Sequence, residues 1–266
     1  MIHFSLISAT LFTIASIFLI QNIRHQQVFQ DNPSKQIFLI SLAAEILFII
    51  SISSSTLQPN GINFSFFNIA ALVACILVLL YLITFFTKPV EVLGLIILPL
   101  AAIIQIIHLF FPDIIKISTT SLSLQVHILL SLLAYSLLSV SALQAILLFI
   151  QNKLLKERKT AGFIRSLPPF FSMELLLFKI ILVGFILLSL SLFSGFIFLE
   201  DIFAQHLVHK TVLSIIAWVI YGVLLWGHYQ FGWRGKKSIT LTLSAFTFLM
   251  LAYFGSKFVA ELILKI

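Results

Sequence analysis

Eight apolar runs, each close to the length needed to cross a bilayer, divide this chain at approximately 3–23, 36–55, 66–86, 91–111, 122–150, 174–199, 208–229 and 238–260. A helix rising 1.5 Å per residue needs about 20 apolar residues to span the hydrocarbon core, and inside it the backbone must satisfy its own polar groups. Phe, Leu and Ile fill the runs without alternation, so they predict helices and not barrel strands. Charge agrees: 9% of residues are charged, against about 25% in a soluble domain. The expected fold class is all-α, a polytopic transmembrane helix bundle of about eight spans. It forms a single integral membrane domain over 1–266, in contact with the lipid bilayer.

Punctuation falls between the runs, at Asp31-Asn32-Pro33, Pro59-Asn60-Gly61 and Pro112-Asp113. The formal charge of +7 does not point to nucleic acid, because the basic residues sit in short connections and read as topology signals. Connections after odd-numbered runs carry Arg24, Lys35, Lys88, Lys153, Lys156, Arg158, Lys159, Arg165, Arg234, Lys236 and Lys237. Those after even-numbered runs, with the C-terminal tail, carry Lys116, Lys210, Lys257 and Lys265. The positive-inside rule then places both termini outside. Seven spans with one interfacial run would leave this asymmetry unexplained. The stretch MIHFSLISATLFTIASIFLI lacks a basic leader and reads as a retained first span. The single cysteine, Cys75, excludes an internal disulfide and a C-x-x-C pair.

This orientation sorts the histidines. His3, His108, His127, His206 and His209 fall on the outer side, His25 and His228 on the inner. His127 stands about one turn inside its run, where a histidine either faces the bundle interior or is hydrogen-bonded at the interface. His206 and His209, three residues apart, share a helix face. Neutral imidazoles such as His127, His206 and His209 suit iron, zinc or copper. Two histidines from different helices can also hold a heme iron axially. The alternative is a solvated loop in which Glu200 and Asp201 complement a helix N-terminus. His209 and His228 lie 19 residues apart on one run, about 28 Å along a helix, and cannot share an iron.

Glu45, near the middle of its run, should be neutral, paired or lining a wet path. Lys179 is shallow enough to snorkel, and Pro99 should kink the fourth run. The basic stretches NKLLKERKT and GWRGKKS either set topology or dock a cytosolic protein or anionic headgroups.

The stretch WVIYGVLLWGHYQFGWRGKKSITLTLSAFTFLMLAYFG, with its Gly232-Trp233-Arg234-Gly235 turn and Tyr253-Phe254-Gly255, resembles the last two spans of the cytochrome c assembly membrane proteins. These are the heme handlers of the CcsA/CcmC/HemX-like superfamily. QVHILLSLLAYSLLSVSALQAILLFIQNKLLK, LPPFFSMELLLFKIILVGF and AQHLVHKTVLSIIAW extend the likeness, which covers about 66–262 and is nearest the HemX-like branch labelled YpjD-like. By position, His127 matches the family's first outer heme-ligand histidine, and His228 a histidine at the inner end of a later span. The family's tryptophan-rich outer loop is replaced here by EDIFAQHLVHKT, and its second outer histidine, beyond the Gly-Trp-Arg-Gly turn, has no counterpart. An outer heme would then need His209 as second ligand.

The resemblance implies a bacterial inner-membrane protein that binds or handles heme in cytochrome c assembly, using His127 and His209. The alternative is an accessory or regulatory subunit without heme, acting on heme biosynthesis or on divalent-cation transport through Glu45, Glu200 and Asp201. With no activated nucleophile, C-x-x-C or phosphate loop in the sequence, a non-enzymatic role is expected.

Overall fold

A computed structural model describes residues 2–24, 31–58, 61–85, 91–111, 117–118, 122–158, 167–198, 208–255 and 258. Among them are eight helices: α1 (Ile2–Arg24), α2 (Asp31–Thr56), α3 (Phe66–Thr84), α4 (Gly94–Phe110), α5 (Leu122–Lys156), α6 (Phe170–Phe198), α7 (Val208–Phe231) and α8 (Lys236–Met250). Seven are long and apolar enough to cross a membrane, α8 together with the helical turn that continues it to Gly255. The helix α4, with Pro99 inside it, has 17 residues and is shorter; a 3-10 turn at Glu91–Leu93 leads into it. The all-α polytopic bundle expected from the runs is what the chain forms.

Several ends differ from the apolar runs. Arg24, Lys35, Lys153 and Lys156 lie on helices and not in loops, because Lys and Arg are good helix formers. A helix therefore continues past the residue at which hydropathy falls.

The chain divides into two compact units, 1–119 with 154–169, and 120–153 with 170–266. In the first, helices pack in the cyclic order α1–α2–α3–α4–α1. Small residues let α1 and α2 approach closely, the usual device where lipid offers no hydrophobic drive between helices. Ser8 Oγ donates to the Ala44 carbonyl at 2.8 Å, and Ser5 pairs with Ser51. At one end a three-stranded antiparallel sheet forms from β1 (Leu57–Gln58), β2 (Gly61–Asn63) and β3 (Ile117–Ser118), with Leu57 opposite Ile62 and Ile62 opposite Ser118. Buried Asn68 ties it to the helices, donating to the Asn63 carbonyl at 2.7 Å and accepting from Ser55 Oγ at 2.9 Å. Long apolar runs gave no hint of this sheet.

In the second unit, α7 packs against α6 and α8. A π-helical turn, Leu251–Gly255, continues α8. The join between α5 and α6 is polar beside a cavity, with His127 meeting Ser194 and Ser131 meeting Ser191.

Candidate functional site

His127 is the sixth residue of α5. Its Nδ1 lies 2.9 Å from Ser194 Oγ on α6. The Ser194 hydroxyl hydrogen is already given to the Ser191 carbonyl, at 2.8 Å, so Ser194 accepts and Nδ1 carries the proton. In a neutral ring the lone pair is then on Nε2, the arrangement of a histidine ready to ligate a metal. A second rung follows one turn on. Ser131 Oγ donates to the His127 carbonyl at 2.7 Å and lies 2.7 Å from Ser191 Oγ, which donates to it. Beneath the ring is bare backbone: a Cβ on Gly195 would fall 2.9 Å from His127 Cε1.

This seam opens into a cavity of about 450 Å³, within the range of about 300–1,000 Å³ that small-molecule and cofactor sites occupy. Its polar wall consists of His127, Ser131, Ser191, Lys210, Thr211 and Ser214; the rest is largely apolar, with Tyr135 and Tyr253 also lining it. Tyr135 is held in an aromatic cluster, 5.7 Å from Phe246, 5.8 Å from Tyr253 and 5.4 Å from Phe254, centre to centre. The π turn brings Ala252 and Tyr253 to the cavity wall; such turns recur at functional sites. Among the described residues, Lys210 is the only charged group lining the cavity and His127 its only histidine.

The other histidines singled out in the sequence do not join His127. His209 is exposed and does not line the cavity. The lining positions 210, 211, 214 and 215 occupy one face of α7, and position 209 falls on the other side at about 100° per residue. The pairing of His127 with His209 is thus not formed, either for heme or for a metal. His206, Glu200 and Asp201 lie outside the described residues. No group of three His, Cys, Asp or Glu side chains among the described residues is arranged to hold a metal ion.

His228 belongs to a packed structural cluster. Its Nδ1 donates to the Trp233 carbonyl at 3.0 Å, and its ring stacks on Phe178 with centres 3.4 Å apart. Trp233 packs so closely on Gly227 that a side chain there would overlap the indole. Gly232 and Gly235 take φ of +64° and +61°, the left-handed conformation that glycine tolerates. Buried Glu174 closes the turn, accepting from the Gly235 N–H at 2.6 Å and pairing with Arg234 Nε at 3.5 Å. Sequence reasoning missed Glu174.

In the other unit, Glu45 is buried and paired, with Cys75 Sγ donating to its Oε1 at 3.0 Å. Its Oε2 has no hydrogen-bond partner among the described residues.

The family model described as cytochrome C assembly protein matches residues 39–264. The inner membrane protein YpjD of Escherichia coli strain K12 is 36% identical over 210 residues, covering 77% of this chain and 78% of that protein. Protein HemX of Brevibacillus brevis is 25% identical over 159 residues, 58% of each chain. The cytochrome c biogenesis protein CcsA of Prochlorococcus marinus strain MIT 9215 is 28% identical over 174 residues, 55% of this chain and 56% of that one. No solved structure gives a significant match.

Proposed function

The chain belongs to the cytochrome c assembly protein family, and from that premise we propose that this inner-membrane protein binds and handles heme in the cavity beside His127. One observation carries the reading: His127 is held by Ser194 through Nδ1 at 2.9 Å, at the wall of a 450 Å³ cavity.

The residues fit the group. Apolar walls suit a porphyrin face, Nε2 of His127 suits the iron, and the ammonium of Lys210 suits a carboxylate. Heme bound there would supply an iron able to take an imidazole nitrogen as a ligand. Ser194 fixes the ring of His127 and its tautomer, Gly195 leaves the ring its space, and Tyr135 and Tyr253 form part of the wall. No catalytic step forms part of this reading.

The test is an absorbance spectrum of the gently purified protein. A Soret band is expected, lost or strongly weakened in His127→Ala and kept in His209→Ala and His228→Ala. A protein without heme that also fails to take up added hemin would overturn the reading. The second reading, an accessory or regulatory subunit without heme, is favoured by the exposed position of His209, which leaves His127 the only histidine of the cavity among the described residues. It would be distinguished by full activity of His127→Ala in cells.

A further inference from the structure

We propose that the groove beside the Gly232–Gly235 turn is a binding site for one anionic phospholipid. This stands apart from heme handling, since none of its residues lines the His127 cavity.

The groove, about 500 Å³, lies between α7 and α8 and is lined by Val223, Trp233, Lys236, Lys237, Thr240 and Leu241. Its composition is graded along its length. Lys236 and Lys237 open α8, whose first turn has no acidic residue, and both are exposed. Neither has an acidic partner among the described residues. Glu174, beside the same turn, is engaged with Arg234 and the Gly235 N–H, so it does not neutralise the lysines. The Lys237 ammonium lies 3.4 Å from the centre of the Trp233 ring, a cation–π contact that holds the charge beside the groove. At the other end are Val223 and Leu241. Val223 lies eight residues before the end of α7, about 12 Å along the helix.

A cationic rim at Lys236 and Lys237, with apolar lining at Leu241 and at Val223 about 12 Å from the end of α7, matches a phosphate headgroup with an acyl chain beneath it. A free phosphate or nucleotide would use the rim and leave the apolar lining uncovered. Exposed Trp226, Tyr229 and Phe231 at the same end of α7 supply the aromatic belt that marks the headgroup level. The turn itself is braced by Glu174 and by Trp233 on Gly227, so the lysines are presented from a rigid base.

The experiment places the full chain in nanodiscs of mixed phosphatidylglycerol and phosphatidylethanolamine, extracts it gently and measures the retained lipid against the bulk ratio. The wild-type chain is expected to enrich phosphatidylglycerol roughly fivefold or more, since each lysine near an anionic surface contributes about fivefold. Lys236→Gln with Lys237→Gln should return the ratio to bulk. Leu241→Trp, which fills the groove and keeps both charges, should also lower the enrichment. Lys153→Gln with Lys156→Gln, on α5, should retain it. No enrichment in the wild type, unchanged enrichment in both groove variants, or equal loss in the α5 control would overturn the site and leave the lysines as topology signals alone.

Discussion

Ser194 accepts a hydrogen bond from Nδ1 of His127 at 2.9 Å while giving its own hydrogen to the Ser191 carbonyl at 2.8 Å. The direction of the first bond follows from the second. A serine with its hydrogen committed can only accept, and this sets the proton on the far side of the ring from the cavity ligand. Ser194→Ala should therefore lower the affinity for added hemin by about 10–100-fold, the usual range for losing a partner that orients a ligating histidine. Ser194→Thr, which keeps the hydroxyl, should lie closer to the wild type. Titration of the Soret absorbance measures both. Equal affinities in Ser194→Ala and the wild type would remove the serine from the site.

Gly195 tests the same ring by volume and not by hydrogen bonding. Its missing Cβ would lie 2.9 Å from His127 Cε1, closer than carbon atoms pack. Gly195→Ala should displace the imidazole and shift or weaken the heme spectrum. Because alanine is the better helix former by about 1 kcal/mol, thermal stability in detergent should be held or raised. Loss of the spectrum together with loss of the folded protein would point to packing alone.

What the sequence made legible, and what it hid, follows from the length over which each signal is written. Seven helices carry 19 or more residues, α8 counted with the π turn that continues it, and at that length hydropathy alone places them. The strands Leu57–Gln58 and Ile117–Ser118 are two residues each, too short to carry a period. Pro59-Asn60-Gly61 was readable as a break, though the antiparallel pairing of Leu57 with Ile62 and Gln58 with Gly61 was not. His127 was visible because a histidine inside an apolar run is rare. Its partners Ser131, Ser191 and Ser194 are ordinary in such runs, and only packing brings α5 and α6 into register. His209 failed as a partner for a geometric reason: its spacing from His206 fixes a shared face without fixing where that face points. Glu174 was hidden because its partners, Arg234 and the Gly235 N–H, lie 60 and 61 residues further on.

The Glu174 brace leads to a stability prediction. Glu174→Ala would strand the Gly235 N–H and remove the partner of Arg234, which also lies 4.6 Å over the Phe171 ring. Leaving a buried donor unpaired costs about 1–3 kcal/mol, and the part-buried Gly235 N–H belongs at the lower end of that range. Glu174→Gln keeps an acceptor for the Gly235 N–H and gives up only the charge, so it should cost less. Arg234 is half-exposed, and its ion pair with Glu174 is correspondingly the smaller part of the loss. Thermal unfolding of the detergent-solubilised variants should rank wild type, Glu174→Gln and Glu174→Ala in falling order. An equal fall in both variants would assign the brace to the ion pair instead of the hydrogen bond.

The length and charge of α5 bear on orientation in the membrane. Its 35 residues make a helix of about 52 Å, against a hydrocarbon core of about 30 Å. A segment of it must therefore project into water or headgroups. The C-terminal end carries Lys153 and Lys156, with Arg158 just beyond, whereas the first turns carry no charged residue. The projecting basic end belongs on the inner side by the positive-inside rule. Each following helix reverses the direction, which sets the His127 cavity and the C-terminal end of α8 toward the outer side. A periplasmic activity reporter fused after Ile266 should be active, and one inserted within 152–165 inactive. Replacing Lys153, Lys156 and Arg158 together with Gln should reduce the fraction correctly inserted, because the retained bias then rests on Arg24, Lys35, Arg234, Lys236 and Lys237 among the described residues. The opposite reporter pattern would invert the molecule and put the His127 cavity on the cytoplasmic side.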